Sequence, residues 1–183
     1  MIIAGLDLSI LATGIAAHDS GEVLPWDIQT IAPPKGFAGM KRLDWLSREI
    51  CNRLLAADLI VCEDIAFSRN GASHSEIVML HGFIRRELWI DGRTLVVAAA
   101  TTLKKFATGR GNAEKDQISK EVFRRWAIDT ADNNQSDAVV LAQIGRALVG
   151  DLDGLTKPMQ EALATVRKSN AEALRGIKAE AVA

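Results

Sequence analysis

The sequence predicts a single α/β domain built on a mixed five-stranded sheet with helices on both faces. Three observations carry this. The first part of the chain holds three β-rich runs separated by turn residues, the middle alternates short apolar runs with helix-periodic segments, and the last third is helical. With 183 residues, 48% of them hydrophobic, the chain can bury one core and leaves little room for a second.

Residues 2–8 form a short β-rich run, residues 14–18 a second that stops at Asp19-Ser20-Gly21, and residues 22–32 can make a third. This order reads as an antiparallel meander. Pro33, Pro34 and Gly36 break the chain, after which Leu43, Leu46, Ile50 and Leu54 recur at helical spacing over about 38–57. Residues 58–63, Asp-Leu-Ile-Val-Cys-Glu, are continuously apolar between two acids and too short for a typical helix, as in a central parallel strand covered on both faces. A Ser, Asn and Gly-rich loop over 68–73 leads to a helix at about 74–90, and Asp91-Gly92 turns into a strand at 94–99. From Thr101 the pattern is helical again, interrupted at 108–112, with Asn112 as N-cap of a helix reaching Trp126. A further helix spans about 134–148. The tail, 156–183, reads as one more helix, with Thr156 as N-cap, Pro158 near the first turn, and Met159, Leu163, Val166, Leu174 and Ile177 on one stripe. Residues 1–150 are thus expected to form the main domain and 151–183 a helical extension. Three strands, then strand and helix in alternation, then helices, is the order of the ribonuclease H-like fold.

A net charge of −1 and a pI near 6.3 exclude a polybasic protein held to nucleic acid by its total charge. Any such site must be a local basic face. No apolar stretch approaches the roughly 20 residues that cross a bilayer, and the N-terminus lacks the basic region and cleavage site of a signal peptide, so a cytoplasmic protein without membrane partners is expected. Cys51 and Cys62 form neither a CxxC pair nor a disulfide framework and read as buried, reduced thiols.

The chemistry is carried by three acids: Asp7 in the first strand, Glu63 ending the fourth, and Asp137 opening the last core helix. Carboxylates set in apolar runs are costly unless a cation shares the site, so three together point to bound metal. Each alone has a structural reading, Asp7 as a turn cap, Glu63 or Asp64 as a strand end, and Asp137 as a charge on the helix dipole. Side chains alternate along a strand, so only one of Glu63 and Asp64 can join Asp7.

Four separated blocks resemble the RuvC family of Holliday junction resolvases. They are Ile3-Ala-Gly-Leu-Asp7-Leu-Ser9 with Thr13-Gly14, the run 58–63, the segment 103–115 with Lys104, Gly109-Arg110-Gly111 and Ala113-Glu114-Lys115, and Asn133-Asn134-Gln135-Ser136-Asp137-Ala138. The resemblance implies a homodimeric endonuclease that nicks opposing strands of a four-way DNA junction symmetrically, using two Mg2+ ions for which Mn2+ substitutes. It selects Glu63 over Asp64 and makes Asp7, Glu63 and Asp137 catalytic metal ligands, assisted by Lys115. A host bacterial cell or a phage-infected one follows, with a phage-type or divergent member of the family fitting the compact form. One departure stands out: where the family has an acid or histidine three positions before the last Asp, this chain has Asn134. Its amide oxygen shares a helical face with Asp137, while Asp132 is the charged alternative as fourth ligand.

Residues 101–126 hold seven cations, Lys104, Lys105, Arg110, Lys115, Lys120, Arg124 and Arg125, against three acids. A basic stretch beside acidic ligands suits a phosphate backbone. Lys104, Lys105, Arg110 and Lys115 are the expected DNA contacts, with Phe67 resembling an aromatic that the family places near the junction centre. The apolar residues Ile77, Leu80, Phe83, Ile84 and Leu88 exceed one core stripe and mark a candidate dimer face, with core packing as the alternative reading. Competing readings are another ribonuclease H-like nuclease acting on branched or flap DNA or RNA, a junction-binding protein that does not cleave, and an actin-like nucleotide-binding enzyme, for which the chain is too short.

Overall fold

The computed structural model describes residues 1–22, 26–65 and 71–176. Among them, strands β1 (Ile2–Asp7), β2 (Thr13–Asp19), β3 (Trp26–Ile31), β4 (Leu59–Glu63) and β5 (Thr94–Ala98) form one sheet in the order β3-β2-β1-β4-β5. The meander β1-β2-β3 is antiparallel, whereas β1, β4 and β5 run parallel. The helices are α1 (Gly39–Leu54), α2 (Gly71–Ile90), α3 (Ala100–Thr108), α4 (Lys115–Trp126), α5 (Asn133–Val149) and α6 (Lys157–Ser169), followed by a 3-10 turn at Ala173–Gly176. None of the described helices is long and apolar enough to cross a membrane.

Alternation divides the strand residues between two apolar layers. Ala4, Leu6, Ile60 and Cys62 pack with α1 and α2, burying Leu43, Leu46, Ile50, Leu80, Ile84 and Leu88. Ile3, Leu59, Val61, Val96 and Ala98 face the other way, into a core shared with α3, α4, α5 and α6. The α6 residues Met159, Ala162, Leu163 and Val166 belong to that same core, so this part of the tail is packed on the body of the protein.

Helix α5 lies flush against the sheet because the sheet offers it glycines. A Cβ on Gly5 would sit 1.9 Å from the Ala138 carbonyl oxygen, and one on Gly14 would sit 2.1 Å from that of Asn134. From the helix side, a Cβ on Gly145 would meet Ile3 Cγ2 at 2.5 Å. Backbone therefore touches backbone at the start of α5, and its register on the sheet is fixed to less than a side chain's width.

Four local expectations need correction. The N-cap of α4 is Glu114, in a capping box with Gln117, because Asn112 lies in the turn before it. The tail helix ends at Ser169, where Asn170 turns its side chain onto β5: Asn170 Nδ2 donates to the Val97 carbonyl at 2.8 Å and Val97 N–H donates to Asn170 Oδ1 at 2.9 Å. The apolar stripe of α2 is core, since Leu80, Ile84 and Leu88 are buried and Ile77 and Phe83 pack on them. Cys62 is buried as expected, but Cys51 is only half-buried, and both are free thiols.

The glycine seats yield two substitutions of opposite sign. Gly5→Ala should destabilise the protein by about 3 kcal/mol, because the obstruction is backbone and cannot rotate away. Gly82→Ala, in α2 with open space at the Cβ position, should be neutral or stabilise by about 0.5 to 1 kcal/mol through helix propensity. Urea unfolding of both variants measures the contrast.

Candidate active site

Asp7 is the last residue of β1 and lies opposite Gly14. Leu6 pairs with Cys62, so Asp7 and Glu63 stand at the next step of one parallel ladder, on strands about 4.8 Å apart. Both share the face of Gly5 and Val61, which is the α5 face. Asp64 leaves on the other side, where Arg85 Nη2 of α2 lies 3.5 Å from it. Strand parity therefore brings Glu63 to Asp7 and takes Asp64 away. From above, α5 supplies Asp137, buried to 7% exposure.

The three carboxyls feel the crowding. Burial pushes Asp7 up to about 8, with the charges of Glu63 and Asp137 adding to it. Burial likewise pushes Glu63 up to about 7, with Asp137 contributing, and Asp137 up to about 6. Lys115 draws all three back down, and Lys104 acts on Glu63 and Asp137. Lys115 is the first residue of α4, where the helix dipole already carries positive charge and a cation is disfavoured. The facing carboxylates offset that cost. A hydroxyl relay holds α4 to α5: Ser119 Oγ lies 2.8 Å from Ser136 Oγ, which lies 2.7 Å from Thr130 Oγ1.

Among the described residues, no three or more His, Cys, Asp or Glu side chains are arranged so that together they could hold a metal ion. What Asp7, Glu63 and Asp137 provide is an acidic patch of hard oxygen donors whose charge a hard divalent cation would offset. The donor chemistry fits Mg2+ or Mn2+.

The remaining predicted residues fall into three groups. Asn134 is half-buried on α5, its backbone against Gly14, three residues before Asp137 and on the same helical face. Asp132 is the N-cap of α5: Oδ1 accepts from Gln135 N–H at 2.8 Å and Oδ2 accepts from Thr30 Oγ1 at 2.6 Å. Its charge still reaches Asp7. Among the cations, Lys104 and Lys115 face the acids, Arg110 is exposed in the loop after α3, and Lys105 turns to α6, pairing with Glu161 at 2.6 Å. Arg124 and Arg125 are held by Glu121. Phe67 lies outside the described residues. Sequence reasoning missed Thr30 and Gln135, whose side chains join β3 to the start of α5, with Gln135 Nε2 donating to Thr30 Oγ1 at 3.0 Å. No local pattern marks them, because the contact spans 105 residues.

No family model matches the chain, and no curated protein matches it by sequence. Solved structures do match it. RuvC from Thermus thermophilus aligns with a TM-score of 0.65 at 15% identity, over 82% of this chain and 98% of that one. The same protein in complex with a Holliday junction substrate aligns with a TM-score of 0.65 at 16% identity, over 78% and 90%. The yeast mitochondrial Holliday junction resolvase Ydc2 gives 0.54 at 11% identity, over 95% and 83%. At such identities the likeness is one of fold, and it bears out the ribonuclease H-like, RuvC-like architecture that the order of elements and the four sequence blocks predict.

Proposed function

We propose that this protein is a divalent-cation-dependent endonuclease that resolves four-way DNA junctions by symmetric paired nicks, acting as a homodimer. The observation that carries the reading is the convergence of Asp7, Glu63 and Asp137, from β1, β4 and α5, on one face of the sheet beside Lys104 and Lys115. Solved proteins of the same fold include one bound to a Holliday junction, which supports four-way DNA as the substrate class.

Asp7, Glu63 and Asp137 would hold Mg2+, or Mn2+ in its place, with the Asn134 amide oxygen as a neutral fourth donor. When bound, a pair of such ions supplies the positive charge that activates water and stabilises a leaving 3′ oxygen in phosphodiester hydrolysis. The chain's own cations prepare the substrate. Lys115 and Lys104 neutralise phosphate charge that the carboxylates would otherwise repel, and Arg110 extends the positive rim. Asp132 serves the site by fixing the start of α5, both oxygens being engaged. A two-fold junction calls for a two-fold protein. For its contact surface we look to the α1–α2 layer, which carries a groove of about 670 Å3 with charged Asp44, Arg48, Arg86 and Glu87 beside apolar Leu55 and Phe83.

Asp7→Asn and Glu63→Gln should each lower junction nicking by roughly a thousandfold, ~4 kcal/mol of transition-state stabilisation, while junction binding in a mobility-shift assay persists. Loss of binding in both would contradict the division between chemistry and affinity. Lys115→Ala should slow single-turnover nicking by about a hundredfold while weakening binding by no more than about threefold. An unchanged rate removes Lys115 from the mechanism. Without divalent cation, the raised carboxyls retain protons that the unfolded chain has released, so stability should fall as pH rises from about 4 to about 8. Thermal melts should show that Asp7→Asn flattens this decline and that millimolar Mg2+ raises the melting temperature above neutral pH.

A further inference from the structure

The end of the sheet that carries Asp7 and Glu63 also carries an apolar loop that the proposed chemistry does not use. Asp7 closes β1 and pairs with Gly14 across the hairpin, and the residues between them, Leu8-Ser9-Ile10-Leu11-Ala12-Thr13, hold no charge. Leu8 and Ile10 pack on the α1–α2 layer, and Thr13 is fully buried. Leu11 is left at 64% exposure.

A lone exposed leucine needs no ligand to explain it. This one is set apart by how it is held and where it stands. Thr13 Oγ1 donates to the Ser9 carbonyl at 2.8 Å and accepts from Ser9 N–H at 3.1 Å, while Ser9 Oγ accepts from the Leu11 and Ala12 amides at 3.3 and 3.4 Å. With its neighbours anchored and its own N–H satisfied, the backbone of Leu11 is ordered by folding, before any ligand arrives. The other large apolar side chains that stay exposed among the described residues lie on α1, α2 or α4, just past α1, or at the N-terminus. Leu11 alone stands in a loop at the acid-bearing strand ends.

The position limits what this side chain can touch. Four residues of chain span at most about 14 Å, so the Leu11 backbone lies no farther than that from Asp7. A stacked strand advances about 3.4 Å per nucleotide, and any base that Leu11 meets is therefore within about four nucleotides of a phosphate held at Asp7. On the other flank Gly14 lies under the first turn of α5, against Asn134, which puts the loop at the rim of the acidic site. An uncharged side chain gains nothing from phosphate. Its complement is the face of a base, which opens only where stacking is broken, and an apolar wedge inserted there replaces the lost neighbour. The branch point of a four-way junction is such a place.

We infer that Leu11 is a wedge that enters an opened base step beside the strand held at the acids, and so favours branched DNA over continuous duplex. The inference rests on the nuclease reading for where that strand lies. The test uses the full-length protein and two synthetic four-way junctions, one fully paired and one with unpaired nucleotides at the branch point, with 2-aminopurine placed in turn at each position around the branch. Without divalent cation, the parent should raise the fluorescence of the paired junction by roughly twofold or more at a position within about four nucleotides of the mapped nick. Leu11→Ala should lose that rise while its affinity in a mobility shift changes by no more than about threefold, since phosphate contacts carry the affinity. Leu11→Met should keep most of the rise, and both variants should unfold at the parental urea midpoint. With Mg2+, Leu11→Ala should nick the paired junction about tenfold more slowly than the parent, yet come within about twofold of it on the pre-opened one. The inference is overturned if no position responds, if the rise persists in Leu11→Ala, if that variant nicks the paired junction at the parental rate, or if it is slowed equally on both junctions. Nicking by the parent together with any of those results rejects the wedge alone. A fluorescence rise that depends on Leu11, in a parent that does not nick, rejects the nuclease reading alone.

Discussion

Repulsion among Asp7, Glu63 and Asp137 is the constraint around which the rest of the structure is arranged. Burial raises the proton affinity of all three carboxyls, and neighbouring negative charge adds to it at Asp7 and Glu63, so the groups would separate if the backbone allowed it. It does not, because α5 is seated on Gly5 and Gly14 with no side chain between helix and strand, while Gly145 closes the contact from the helix side. Around that seat lies a core of Ile3, Val61, Val96, Ala138, Leu141 and Ile144, all essentially without exposure. At roughly 1.5 to 3 kcal/mol for each large side chain buried, this packing readily exceeds the penalty of holding a few charges together. Apolar burial thus holds an electrostatic conflict in place at the ends of the central strands β1 and β4.

The parts of this arrangement that the sequence revealed are those governed by period. Runs of four to six apolar residues read as strands, and the parity of β4 explains why Glu63 rather than Asp64 joins Asp7: Val61 and Glu63 share a face, and Asp64 ends near Arg85 on the other. Legibility ended where contacts are distant or where competing caps are chemically alike. Asn112 and Glu114 both cap helices, and the reciprocal bond with Gln117 decided for Glu114. The apolar stripe of the tail continued past Ser169 on paper, yet Asn170 finds a better partner in the unpaired edge of β5 than in another helical turn. For α2, Leu80, Ile84 and Leu88 are taken up by the core shared with the sheet and α1, while Val78, Met79, Trp89 and Ile90 of the same helix stay exposed. The link from Thr30 to Asp132 crosses 102 residues and leaves no trace in any local window.

That link bears on the departure at Asn134. Asp132 supplies negative charge near Asp7, but its two oxygens already accept from Thr30 Oγ1 and Gln135 N–H, and its backbone carbonyl accepts from Ser136. To serve as a ligand it would have to release the N-terminus of α5, and with it the helix that carries Asp137. The cap and the metal ligand are therefore competing uses of one side chain. Asn134 has no such conflict, since the backbone fixes its position against Gly14 and leaves its amide on the face of Asp137. Under the nuclease reading the ligand set is then three anions and one neutral oxygen, with Lys104 and Lys115 close by. Such a set attracts a divalent ion less strongly than four carboxylates would, while the phosphate that the lysines draw in brings the missing negative charge with it. Cation and DNA should then each strengthen the binding of the other, so that the site is fully charged-balanced only when both are present.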